Sequence, residues 1–194
     1  MTGNAQRILV MGVGNPLMRD DGAGPRVIEM LRAAYVFPDN VEVVDAGTLS
    51  YMILDLFRGI DELVLIDAMQ GGDEKPGTVA VLTPEEIAPN QVKHSMHDVG
   101  IVDVLQAAEL MGAAPHTVAI GIQIESIEQW VLELSEPVAA AVPLAAAAVL
   151  NALQSLGVEP LPNEGSDPQA QIISALRTFA PMPGTDGPVG DDPA

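Results

Sequence analysis

Two carboxylates and an imidazole, Asp21, Asp67 and His97, are the side chains in this sequence whose types and settings suit joint chemistry. Asp21 follows the glycine-rich stretch Gly12-Val13-Gly14-Asn15-Pro16 and has a second acid, Asp20, beside it. Asp67 closes the apolar run from Leu63 to Ile66, and His97 stands just ahead of a helical pattern. Two carboxylates plus one imidazole, with no fourth protein donor, suit a borderline divalent cation that keeps open positions. The partial positive charge of a helix N-terminus also favours the neutral, ligating form of the His97 ring. Plainer readings stand beside this one. A single Asp closing a strand often serves as a cap or turn residue, and His94 and His116 read as ordinary surface or turn histidines.

Residues so far apart in sequence can meet only if the fold gathers them. Ile8 to Val13 is too continuous an apolar run for a half-exposed strand and suits one covered on both faces, as in a parallel sheet. Gly12, Gly14 and Asn15-Pro16 then turn the chain sharply, and Pro25 suits a first helical turn. Val27, Ile28, Leu31, Ala34 and Tyr35 repeat with helical spacing up to about Phe37-Pro38. Further strands are expected at Val41–Val44, Leu63–Ile66, Thr78–Leu82 and Thr117–Ile124, and a short helix from about Leu49 to Phe57.

Ser95 and Asp98 provide an N-terminal cap for a helix bearing Ile101, Val104, Leu105 and Ala108, which stops near Gly112. Ser135 can cap a last, alanine-rich helix that runs to about Leu156-Gly157. The pattern predicts a three-layer αβα sandwich around a five-stranded, mostly parallel sheet. The link between the third and fourth strands is too short for a helical crossover, so one strand is expected to be antiparallel. In such sheets, sites gather beyond the carboxyl ends of the strands, where Asp21, Asp67 and His97 could converge.

Composition narrows the function. With 194 residues the chain suits one domain, read as 1–158, followed by an acidic Pro/Gly-rich tail, 159–194. That tail is expected to be partly disordered, with a short helix over 167–180. The 27 acids against 8 bases give a net charge of −19, which argues against nucleic acid and anionic membrane as partners. There is no cysteine, so disulfides, thiolate catalysis and cysteine metal sites are excluded. The N-terminus lacks a signal-peptide pattern, so a cytoplasmic protein is expected. The alanine-rich helix invites a membrane reading. Its uninterrupted apolar run is short for a bilayer, however, and Pro143, Asn151 and Gln154 also oppose membrane insertion.

Common motifs fail. Gly12-x-Gly14 lacks the third glycine of a dinucleotide fingerprint, Leu17 standing in its place, and the two acids behind it would repel a pyrophosphate. There is no P-loop and no G-x-S-x-G elbow.

Four segments in order, GVGNPLMRDDGAG, VVDAGT, LVLIDAM and SMHDVGIVDVL, strongly resemble the hydrogenase maturation endopeptidases. The likeness runs from about Arg7 to Gly157. It implies removal of a C-terminal extension from the large-subunit precursor of a nickel–iron hydrogenase once nickel has been inserted. It also implies Asp21, Asp67 and His97 as metal ligands and catalytic residues, although many relatives carry the longer Glu at the first position. The nickel would belong to the precursor and act as the recognition element, and other divalent ions could occupy the site. Gly14, Asn15, Asp20, Asp45, Gly47 and Thr48 are the candidates for substrate contact, with Asp20 also able to orient the loop. A monomer is expected. Two other classes stay open: a non-catalytic nickel-binding assembly chaperone using the same ligands, and a nucleotide enzyme using the Gly12–Gly24 loop for phosphate.

Overall fold

Strand β1 (Ile8–Val13) is buried along its whole length at the centre of the molecule. The computed structural model describes residues 5–48, 51–71, 73–83, 86, 101–163 and 165–177. β1 is flanked by β3 (Val41–Gly47) and β4 (Glu62–Met69), both parallel to it. β6 (His116–Gln123) adds parallel to β4, and β5 (Val79–Leu82) closes that side antiparallel to β6. The order is β3-β1-β4-β6-β5, so the sheet is the expected one, with its antiparallel strand at the edge.

Period-two alternation divides the strands between two apolar layers. Ile8, Val10, Val64, Ile66, Ile120 and Ile122 face helices α1 (Ala23–Ala34), α3 (Glu136–Ser155) and α4 (Asp167–Leu176). Leu9, Met11, Leu63 and Leu65 face Phe57 of a 3₁₀ turn (Tyr51–Phe57) and Ile101, Val104 and Ala108 of α2 (Ile101–Leu110). Burial on both faces explains the unbroken apolar runs.

Several boundaries depart from the sequence reading. β3 runs on to Gly47 and β4 to Met69, so Asp67 lies within a strand that continues beside β6. α1 stops at Ala34 because Tyr35 turns extended, and Tyr35–Val36 (β2) pairs antiparallel with Leu161–Pro162 (β7). The short helix expected from residue 167 is present as α4 (Asp167–Leu176), but it belongs to the core and not to a separate tail, since it buries Ile172 and Ala175 in the same layer as α1 and α3. Residues 178–194, and with them the end of the helix expected over 167–180, lie outside the described residues, as does the Ser95–Asp98 cap.

α3 has 20 residues and is long and apolar enough, by length and composition alone, to cross a membrane. In this fold it is a core helix. Val138, Ala141, Ala145, Ala148, Val149 and Leu153 are buried in the layer shared with α1 and α4. On the outer edge of the sheet, the Arg32 guanidinium donates to the Val43 carbonyl of β3 at 2.6 Å.

Candidate active site

The winding of the sheet reverses at β1. From β1 the chain passes through α1 to β3 on one side, then returns past β1 to β4 on the other. Between β1 and β4, at their carboxyl ends, such sheets form a crevice. Asp21 leaves β1 through the loop that opens there, and Asp67 sits near the end of β4.

Close backbone packing fixes the loop. A Cβ on Gly24 would come 2.2 Å from the Val13 carbonyl oxygen and 2.8 Å from that of Ile66, so the start of α1 rests directly on the ends of β1 and β4. Ile66 precedes Asp67, so one helix start bears on both acid-carrying segments. Gly14, at φ +140°, has no room for a side chain either, since a Cβ there would lie 1.8 Å from the Asp21 carbonyl oxygen. Close packing of main chain on main chain thus accounts for these two glycines.

The two acids of the loop have different surroundings. Asp21 is buried, and its Oδ2 accepts the Asn15 N–H at 3.1 Å. Asp20 is wholly buried, and both of its oxygens are engaged by the connection between β6 and α3. Oδ1 accepts the Ser135 N–H at 2.7 Å. Oδ2 accepts the N–H groups of Glu125 and Ser126 at 3.0 and 3.1 Å and the Ser135 hydroxyl at 2.8 Å. Asp20 thus clamps two loops together, in keeping with the loop-orienting role expected of it. Ser135 precedes α3 as expected, but its hydroxyl serves Asp20 and makes no capping bond.

Asp67 is half-buried and its Oδ1 accepts the Ala68 N–H at 2.8 Å. By alternation its side chain shares the face of Leu65, the face that α2 covers. His97 lies outside the described residues, as does His94. Ile101, four residues after His97 in the chain, is buried in one cluster with Met11, Val13 and Leu65. Among the described residues, no group of three His, Asp or Glu side chains is arranged to hold a metal ion. His116 is exposed and pairs with Glu62 at 2.9 Å, at the opposite end of β6 from the crevice.

The other candidates are turn residues joined to one another. Asn15 Oδ1 accepts the Leu17 N–H at 3.0 Å, and Asp45 Oδ1 accepts the Gly47 N–H at 2.9 Å. The Gly14 N–H donates to the Gly47 carbonyl at 2.9 Å, tying the loop after β1 to the end of β3. Thr48 is exposed just beyond. Asp45 also lines a cavity of about 400 Å³ with Pro16, Arg26 and Arg32.

The chain matches the model of a family described as hydrogenase maturation protease over residues 25–152. It is 38% identical over 160 residues to the hydrogenase 2 maturation protease of Escherichia coli K12, covering 81% of this chain and 97% of that protein. This chain belongs to the hydrogenase maturation proteases. Another relative, the hydrogenase expression/formation protein HupD of Rhizobium leguminosarum bv. viciae, is 37% identical over 79% of this chain and 77% of its own. Among solved structures, the hydrogenase maturating endopeptidase HybD of E. coli superposes with a TM-score of 0.75 at 36% identity, covering 83% of this chain and all of that one. The nickel–iron hydrogenase maturation protease HybD of Thermococcus kodakarensis gives 0.60 at 30% identity, covering 74% and 97%. As a maturation protease the chain is a peptide-bond hydrolase with the α/β fold of its relatives.

The β6–α3 connection is the part of the site region that the sequence reading missed. It supplies all four donors to Asp20 and carries the sole tryptophan, Trp130. Its partners lie more than a hundred residues from Asp20, and no local pattern marks them.

Proposed function

We propose that this maturation protease removes the C-terminal extension of a nickel–iron hydrogenase large-subunit precursor after nickel insertion, and that Asp21, Asp67 and His97 grip the precursor's nickel. The observation that carries this reading is the emergence of Asp21 and Asp67 from neighbouring parallel strands at the point where the winding reverses. The burial of Ile101, soon after His97, in the layer beneath that point is in keeping with it.

Three ligands of this kind would bind a free ion weakly and leave coordination positions for the precursor's own donors. The chain contains no cysteine, so it has no thiolate of its own to strip nickel from the precursor. Holding the nickel would fix the scissile bond beside it. Hydrolysis then follows from polarisation of the carbonyl or activation of water, with a carboxylate as general base. Gly14, Asn15, Asp45, Gly47 and Thr48, joined through the Gly14–Gly47 hydrogen bond, would form one wall of the cleft.

The test is the mass of nickel-loaded precursor before and after incubation with the protein. Wild type should shorten it. Asp21→Asn, Asp67→Asn and His97→Ala should each leave it at full length while keeping a native circular-dichroism spectrum. Nickel held by the protein with no change in precursor mass would mark an assembly chaperone instead.

A further inference from the structure

Among the described residues only two non-glycine residues have positive φ, Arg19 at 53° and Trp130 at 64°, and they face each other across one junction. The Trp130 N–H donates to the Leu17 carbonyl at 2.7 Å, and the Arg19 N–H donates to the Val131 carbonyl at 2.8 Å. Met18 and Val131 form an isolated parallel bridge between these contacts. The Arg19 guanidinium pairs with Glu128 and Glu125, and Asp20 clamps the same connection from beneath. A left-handed conformation is costly for a bulky residue and persists only where the surroundings impose it. Here it holds a large aromatic ring out in water: Trp130 is 80% exposed, and Leu17 and Leu132 beside it in the chain junction are 43% and 51% exposed.

Burial in the fold does not account for this arrangement, since the ring has left the core. Trp and Tyr platforms of this kind anchor binding surfaces. Leu17 lies four residues before Asp21 in the same loop after β1. Acids outnumber bases around the junction: Arg19 is shared between Glu125 and Glu128, and the Arg26 guanidinium donates to the Leu132 carbonyl at 3.4 Å, against four glutamates. Glu125 and Glu128 are half-exposed, Glu133 and Glu136 are exposed, and the whole chain carries −19.

We propose that the Leu17–Trp130–Leu132 junction is the docking platform for an extended, apolar segment of the substrate polypeptide with flanking Lys or Arg residues. This rests on the peptidase reading above, in which a polypeptide must lie across the cleft with its scissile bond near Asp21. The platform binds the chain beside that bond and does not touch the reacting atoms.

The experiment uses the full chain and nickel-loaded large-subunit precursor. Because Trp130 is the sole tryptophan, fluorotryptophan labelling gives this protein a single fluorine resonance. In the labelled Asp21→Asn protein, which should not turn over, precursor should shift that resonance saturably. In the processing assay Trp130→Gly should raise KM at least about tenfold, with the loss falling on KM rather than kcat. Glycine adopts the left-handed conformation freely, so this variant should melt no lower than wild type, which separates lost docking from lost folding. Trp130→Phe should recover most of the loss. Leu110→Ala, at an apolar residue 91% exposed on the far end of α2, should process like wild type.

An unmoved resonance, or an unchanged KM in Trp130→Gly, overturns the platform and leaves the peptidase reading standing. A shifted resonance with precursor that wild type never shortens does the reverse. A resonance that moves with the protein's own concentration would assign the platform to a second copy of this chain and likewise overturn the proposal.

Discussion

Asp20 and Asp21 are adjacent acids, and substitution should separate them cleanly. Asp20→Ala leaves three backbone N–H groups and the Ser135 hydroxyl without their carboxylate. Hydrogen bonds to a charged group contribute about 1.5–3 kcal/mol each, and buried donors left unpaired add to the loss. A fall of about 3 kcal/mol or more in unfolding free energy is therefore expected, read from the urea midpoint. Asp21→Asn keeps the shape and an acceptor for the Asn15 N–H, so it should unfold close to wild type while abolishing processing. The resemblance already gives the two acids different roles, with Asp21 as ligand and Asp20 able to orient the loop. What the sequence does not show is the set of donors contributed by the β6–α3 connection, which only tertiary folding brings to Asp20. Asp67 was readable because the apolar run before it is unambiguous, although β6 carries the strand on through Met69.

α1 and the ends of β1 and β4 meet without side chains between them, and that contact should be intolerant of a single methyl group. In Gly24→Ala the new Cβ would press on the Val13 and Ile66 carbonyls, both main chain and unable to swing aside. Overpacking of this kind costs about 1–3 kcal/mol. Because the displaced helix start carries the Asp21 turn with it, processing should fall along with the urea midpoint while the m-value stays constant. The long elements of the fold were legible for a related reason. Strands buried on both faces must be continuously apolar, and β1 matches its expected bounds, Ile8–Val13. β3 extends past Val44 because it pairs with β1 up to Val13 across an irregularity after Gly12, information that belongs to the partner strand. Two-residue strands such as β2 and β7 have no period to detect, so they and the end of α1 at Ala34 were invisible.

The alanine-rich α3 gives one face of the sheet a thin cover, and α4 lies against it and α1 as a further layer. Ile172 is wholly buried there. A chain ending at Gly157 should therefore unfold at lower urea than one ending at Arg177, by about 2 kcal/mol for Ile172 alone. Comparing the two truncations in the mass assay also shows whether this layer matters to processing beyond its effect on stability. Composition could not reveal the layer, because Pro, Gly and acids dominate the stretch around it while, among its described residues, only Ile172 and Ala175 are buried in the core, with Leu176 packed against it. The Arg32 contact to Val43 has a consequence of another kind. β3 is a margin of the sheet, and a second molecule arriving there to extend the ladder would meet an acceptor already filled, with Glu42 and Asp45 exposed on either side of it. One arginine thus occupies an acceptor at this border, and the carboxylates beside it repel a second copy of this acidic chain.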